Sequence, residues 1–528
     1  MKKRVMKAKE RGHRITRPIL MLSLLLFFVL MFVWYGPGVY NDSEQYIGMH
    51  IHREPLYPLF LKLFRDLFGE NYLYPMGVLQ NIFMAVSIFL LTKAIGDRFR
   101  LSAWMEAVVA CIQVFPHIMT KYCSATGLFI TNSVMSEALT MPLCTLWILN
   151  VLNLMWTGKK RNAAGMWMLS LLLSLTRSQM MVTILIAMLV MVYRVLFPAT
   201  EKSNDKALLY SADGIDPENK ISVQAKQSEN CRKSGNQRKY EQKLEQQEQN
   251  QDCNYRQEQS LRQKKQRQLG KKCLRVALTL LVTAVTFTAR LYIVKTYNLI
   301  YNGAFINNTY GNVSLVTNMI YASDREEGEA IQDEQTRAFF YEIFDKAWEI
   351  EANYSFAGTS LTDRAQHIEQ KHDDIKFNCI EDTFYQYYDN NVTTDYITQN
   401  LLADEQAMKI MKAIFPRCLK NWLFTYCGIV YYGLVRSIAL VHPVANIIAV
   451  VIYIMAMVLT IILWKRNPKS PAIPMMCLAL LFIVGNATEV ALTIMCLSRY
   501  MIYGFAWFYM ALLMVITELL RTRFGCQQ

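Results

Sequence analysis

The sequence predicts an all-α polytopic membrane protein of about ten transmembrane helices, and three observations lead there. The 528-residue chain is 53% apolar and only 19% charged, with a mean hydropathy of +0.14. Long apolar runs recur at or near the ~20 residues that cross a hydrocarbon core. Lys and Arg collect in short segments between those runs. The formal charge of +14 therefore reads as the flanks of membrane spans, not as a nucleic-acid surface. Twelve cysteines show no CxxC and no metal-ligand spacing. Cys111, Cys144, Cys477 and Cys496 sit in apolar runs as small hydrophobes. No disulfide framework is expected, Cys379 with Cys418 being the one pairing to consider.

The first apolar run, "PILMLSLLLFFVLMFVW", follows the basic flank "MKKRVMKAKERGHRITR". It is longer than a signal-peptide core and no A-x-A-like site follows, so a retained signal anchor is expected. Spans are placed at 18–35, 74–95, 102–118, 132–154, 163–177, 179–197, 274–294, 443–464, 471–494 and 501–520. The long run around Arg177 is split at 176–179, because that charge is costly at mid-membrane. Ten crossings put both termini on one side. The basic stretches 1–17, 92–100, 157–162, 198–273, 464–469 and 521–523 all fall on that side, which the positive-inside rule makes cytoplasmic. The expected setting is a plasma membrane, multi-pass.

Five regions follow. Residues 1–197 form an N-terminal membrane module with a chemically rich first outer loop. Residues 198–273 form a cytoplasmic insert, with low-complexity stretches such as "NQRKYEQKLEQQEQNQ" and too little apolar surface for a core. Disorder or a loose helical hairpin is expected there. Residues 274–295 are one span. Residues 296–442 are an extracytoplasmic segment, acid-rich and mostly helical, with helical apolar spacing in "EQTRAFFYEIFDKAWEIEA". Its end, "NWLFTYCGIVYYGLVRSIALV" (421–441), would reverse every later loop if it crossed, so an interfacial or re-entrant helix is expected. Residues 443–528 are the C-terminal spans. N-x-S/T triplets at Asn307, Asn312, Asn353 and Asn391 are read as chance matches.

The loop after the first span reads "NDSEQYIGMHIHREPLYPLFLKLF" and concentrates acids, histidines, an arginine and prolines at the interface. Parity of the topology brings further charges to that level. Asp42 and Glu44 follow span 1, and Glu137 lies near the outer end of span 4. Arg177 sits between spans 5 and 6, Arg290 near the outer end of span 7, and Arg499 just before span 10. Charges at membrane depth are costly and are usually paired or functional. A guanidinium fork matches phosphate oxygens, and a carboxylate suits proton abstraction from a hydroxyl. The set describes transfer of a group from a lipid phosphate to a hydroxyl-bearing acceptor. A transporter or flippase for a lipid-linked sugar is the alternative, although neither an internal repeat nor a clearly broken span supports it. His50 and His52, with Glu54, share one side of an extended segment and are candidates for a divalent cation, with His117 a further contributor.

These pieces resemble the GT-C membrane glycosyltransferases, in particular the family 39-like group of protein O-mannosyltransferases and aminoarabinose transferases. "NDSEQYIGM" followed by "REPLYPLFLKLFRDLFGE" resembles their first outer loop, an acidic-x-x-x-Tyr motif leading into an interfacial helix. "TNSVMSEALTMPL" is similar to their second acidic motif, with Glu137 at its Glu. "LSLTRSQ" carries Arg177, "ARLYIVKTYN" carries Arg290 without the expected Pro-Trp, and "SRYMIYGFAWFY" carries Arg499 and Tyr500. The resemblance covers about 1–195 and 274–520. It implies a polyprenyl-phosphate sugar as donor, inversion at the anomeric carbon, and Asp42 or Glu44 as general base. Glu137 would assist, and Arg177, Arg290, Arg499, Arg53, Tyr57 and Tyr500 would line the donor site. Membrane lipid and an acceptor protein, lipid or cell-wall polymer are the implied partners.

Overall fold

The structure is a computed structural model whose described residues are 2–40, 42–122, 127, 129–197, 236–307, 311–439 and 445–523. Residues 198–235 of the predicted insert, and Asn41 at the head of the loop motif, lie outside them. All regular elements among the described residues are helical. Nine helices among those residues are long and apolar enough to cross a membrane. The chain is an all-α polytopic membrane protein.

It divides into two compact units, one of Met1–Met188 with Thr283–Gln528 and one of Leu189–Val282. In the first, helices α1 (Lys2–Tyr35), α4 (Leu73–Phe99), α5 (Ala103–Tyr122) and α6 (Ser136–Thr157) pack on one another. Arg17 of α1 reaches Asp97 at 2.6 Å and Glu106 at 2.7 Å. This staples the middle of α1, where its apolar run begins, to the end of α4 and the start of α5. Nearby, Trp156 Nε1 donates to the Pro471 carbonyl (3.4 Å), and Arg98 lies over the Trp156 ring. The basic flanks thus share one end of the bundle. At the opposite end the segment after α1 pairs with the segment before α6, Gly38 N donating to Asn132 O and Val134 N to Gly38 O. The alternation of ends matches the order predicted from Lys and Arg.

Between α1 and α4 lie a short helix α2 (Ser43–Ile47) and α3 (Leu56–Phe68). Pro55 caps the start of α3, and Gly69, at φ +59°, ends it. Tyr57, Leu61 and Phe64 are buried, whereas Leu59, Leu63 and Leu67 form a second, exposed apolar stripe. Lys62 and Asp66 pair on the remaining face at 2.7 Å. One stripe in protein, one bare apolar stripe and one charged stripe is the pattern of a helix lying in an interface.

Helix α7 (Lys160–Ser174), expected as a span over 163–177, is not among the nine. Its 15 residues rise ~22 Å, short of a ~30 Å hydrocarbon core. It nevertheless runs along α6, bonded through Asn162 to Thr157, Ser170 to Trp147 and Thr176 to Thr140. Helix α8 (Val182–Leu196) follows the turn at Arg177.

Helix α9 (Asn236–Asn302) is continuous through the described part of the insert and the following span. Residues 236–273 are thus helical, which departs from the disorder expected there; the hairpin expectation involves residues 198–235, which lie outside the described ones. Residues 236–269 contain no Gly or Pro and are rich in Gln, Glu, Lys and Arg, which lose little side-chain freedom in a helix. Within the second unit, Lys272 Nζ donates to the Leu196 carbonyl at 3.1 Å.

Residues 311–438 build a helical subdomain: α10 (Gly311–Ala322), α11 (Glu334–Glu349), α12 (Leu361–Asp373), a π-helical stretch (Asp374–Glu381), α13 (Asp382–Asn391) and α14 (Tyr396–Ile438). Tyr321, Phe340, Phe384 and Ile410 fill its core. Asn312 is bound to Asp404 at 2.6 Å and the buried Asn353 to the Ser323 carbonyl at 2.8 Å, so both amides are engaged within the fold. Cys379 and Cys418 are buried free thiols and do not pair. Helix α14 is continuous over 421–438 and is not among the nine helices long and apolar enough to cross a membrane. The remaining long helices are α15 (Ala445–Arg466), α16 (Ala472–Thr493) and α18 (Phe505–Arg523), with a short α17 (Ser498–Met501) before the last. α14 meets them at Leu434 with Tyr453, Tyr426 with Thr488 and Ile438 with Tyr509.

Candidate functional site

Asp42 stands at the N-terminus of α2, where the chain leaves α1. Its Oδ1 is 2.9 Å from Arg53 Nη2 and its Oδ2 is 3.2 Å from Arg499 Nη1. Arg53 is held in turn by Gln45 (2.9 Å) and lies over the Tyr46 ring. Tyr46 Oη is 3.0 Å from Ser136 Oγ, at the start of α6. Ser136 also accepts from Arg177 (3.2 Å), and Arg177 pairs with Glu137 at 2.5 Å. Tyr500 closes the circuit. The Arg177 and Arg499 guanidiniums lie 4.9 and 4.8 Å from its ring centroid, and Arg499 Nη2 donates to its hydroxyl at 2.7 Å. Asp42, Arg53, Glu137, Arg177, Arg499 and Tyr500 therefore form one cluster.

Exposure is graded through the cluster. Asp42 and Arg499 keep 31% and 33% of their side-chain surface, whereas Glu137 keeps 2%. Asp42 and Arg499 can meet a ligand; Glu137 acts through Arg177. Burial alone would raise the Asp42 carboxyl, but Arg53, Arg499 and Arg177 outweigh it and hold it below the usual carboxylate range. It is ionised at neutral pH. Three guanidiniums meet two carboxylates here, so the cluster has room for one more anionic group.

The other candidates lie elsewhere. Glu44 is exposed on α2. Tyr57 is fully buried behind Tyr46, ring to ring at 5.3 Å, and its hydroxyl donates to the Ser133 carbonyl; it packs. Arg290 pairs with Glu54 at 2.5 Å, both 6% exposed, so neither reaches the open face. That pairing also removes Glu54 from the proposed ion site. His52 is bonded to Tyr396 at 2.8 Å, and burial next to Arg53 drops it to about 3, so its ring is neutral. His50 is exposed, and His117 is packed between Phe28 and Phe129 inside the bundle. The histidines and Glu54 do not converge, and among the described residues no three His, Cys, Asp or Glu side chains gather as a metal set.

Several contributors escaped the sequence reading. Gln179 and Asn486 both donate to the Tyr500 carbonyl, at 3.2 and 2.9 Å, and so fix the Arg499–Tyr500 pair. Asn486 carried a signal, as a polar side chain inside the apolar run "LFIVGNATEV". Lys376, on the π-helical stretch, is buried and donates to Ser314 at 3.2 Å. Burial pulls its amine down to about 8, with Arg53 and Asp42 close enough to act on it. Nothing in the local sequence marks it. An apolar groove of about 670 Å³ runs between α5, the end of α14 and α18. Phe115, Phe505, Tyr509 and Leu512 line it, and Phe505 begins six residues after Arg499.

Compared with family models, curated proteins and solved structures, the chain gives no match.

Proposed function

We propose that the protein is an integral-membrane glycosyltransferase that moves a sugar from a polyprenyl-phosphate donor to a hydroxyl-bearing acceptor, with inversion. The observation that carries this reading is the Asp42 carboxylate held between Arg53 and Arg499, beside the Arg177–Glu137 pair. The ordered motifs resembling the GT-C family 39-like group support the same reading.

The chemistry is a single displacement. The acceptor hydroxyl loses its proton to Asp42 as its oxygen bonds to the anomeric carbon. The bond from that carbon to the phosphate oxygen breaks on the opposite face, and the polyprenyl phosphate leaves with the electron pair. Arg499 and Arg177 receive the phosphate charge in a fixed arrangement. When the donor's phosphate arrives, Arg499 turns from Asp42 toward it, which frees one carboxylate oxygen for the acceptor. The isoprenoid tail lies in the groove between α5 and α18. The distribution of Lys and Arg supports a reading with both termini in the cytoplasm and this cluster at the outer face of a plasma membrane.

The test is a transfer assay on membranes containing the full chain, with a set of radiolabelled polyprenyl-phosphate sugars, against Asp42→Asn. Transfer by the native chain that the variant loses is the expected result. Full activity in Asp42→Asn, or donor movement across vesicles without transfer, overturns it.

A further inference from the structure

Arg290 lies behind the cluster, not in it. Its Nη2 meets Glu54 Oε1 at 2.5 Å, and its Nε donates to the Ser174 carbonyl at 3.3 Å. Beside this contact, Leu56 N donates to the Leu175 carbonyl at 2.9 Å. Each partner is a chain neighbour of a site residue. Glu54 follows Arg53, which holds Asp42. Ser174 precedes by three positions Arg177, which holds Glu137. One guanidinium thus grips the supports of both ion pairs.

We infer that Arg290 and Glu54 form a positioning strut that sets the spacing between the Asp42–Arg53 and Glu137–Arg177 pairs. Stability alone does not account for this arrangement, because an apolar pair of similar volume is as stable as a buried ion pair or more so. What the ion pair adds is direction. A planar fork holds a carboxylate and a carbonyl in one fixed geometry, whereas the rotatable donors of a lysine can reach both without fixing their spacing and an apolar side chain can hold neither. Arg290 and Glu54 touch no reacting atom, and their effect is on where Arg53 and Arg177 stand. The catalytic consequence rests on the proposed transfer; the geometric one does not.

The experiment uses the full chain in lipid nanodiscs and two alterations, Glu54→Leu with Arg290→Met, and Arg290→Lys. Each is first made in an Asp42→Cys background. Alkylation of the introduced thiol by a soluble maleimide is followed by mass spectrometry from pH 5 to 9. Between Arg53 and Arg499 that thiol ionises early. Loss of the strut is expected to move the alkylation profile up by about one pH unit, and an unmoved profile in folded variants overturns the inference. With Asp42 intact, the transfer rate is expected to fall roughly tenfold in kcat while KM for the donor changes less than about threefold. A strut that only holds the fold together would lower the yield of folded protein and leave both readings unchanged. If the native chain shows no transfer, the proposed function fails while the thiol profile still decides the strut. If the apolar pair does not fold, Arg290→Lys alone decides it.

Discussion

The Oδ2 of Asp42 lies 3.2 Å from Nη1 of Arg499, across 457 positions of chain. One residue follows the first span and the other opens the last, so the contact closes the bundle's ends on each other. Under the proposed function, it makes the base and the phosphate-binding cation partners before any donor is bound. A phosphate must therefore compete with Asp42 for Arg499, and removing the carboxylate should help binding while stopping chemistry. Asp42→Asn is expected to lower kcat by about 10³-fold or more and to leave the KM for the donor unchanged or lower. Initial rates over a range of donor concentrations check this split.

The same contact sets the acid limb. The Asp42 carboxyl is held below its usual range, so its ionised form persists as the pH falls toward that range. Transfer is expected to stay flat from neutral pH down to about 5 and to decline only below it, since an ordinary carboxyl titrates near ~3.9. The linked stability has the same sign: it is present above the unfolded value and lost as the pH falls through the lower, folded one. Arg53→Gln removes one cation and should raise the acid limb. A pH–rate profile of both proteins, read at subsaturating donor, measures the difference.

Arg177 and Glu137 separate stability from activity. Glu137 is nearly fully buried, so Arg177→Ala leaves an unpaired carboxylate inside the bundle. That should cost about 3–5 kcal/mol. Replacing both, as Arg177→Met with Glu137→Leu, should restore most of that stability but none of the transfer, because the phosphate-binding fork is gone. Thermal unfolding in nanodiscs alongside the transfer assay distinguishes the two effects.

What was legible in the sequence was what depends on order along the chain. Apolar runs and the side on which Lys and Arg collect gave the spans, their alternation and the shared level of Asp42, Glu137, Arg177 and Arg499. Partner choice was not legible. Arg290 stands at the expected depth, yet Glu54, 236 positions away, takes its guanidinium. His50, His52 and Glu54 have ligand-like spacing only if the segment is extended; instead each side chain has a different neighbourhood. Helix α7 escaped because length was judged from hydropathy, while its 15 helical residues end at the turn that lets Arg177 reach Glu137. Lys376 belongs to a π-helical stretch, a local irregularity for which side-chain periodicity gives no signal.

Lys376 gives the last prediction. Its amine is drawn down to about 8 by burial, below the ~10.4 of an exposed lysine. Between those values the unfolded chain binds the proton and the folded chain does not. Stability therefore rises with pH across that window, by about 3 kcal/mol at most. Below pH 8 the buried ammonium persists at a cost, which Glu381, Asp373 and Asp42 offset in part. Lys376→Met removes the titrating group, so the variant's stability should be flat from pH 8 to 10 and exceed that of the native chain at pH 7. Its transfer rate tells whether the Lys376 charge matters for chemistry: that charge acts on Arg53 and Asp42, so removing it should change the rate at pH 7 more than at pH 9. Unfolding midpoints at five pH values, with matched transfer rates, measure both slopes, and a native curve already flat across that window would rule out the drawn-down amine.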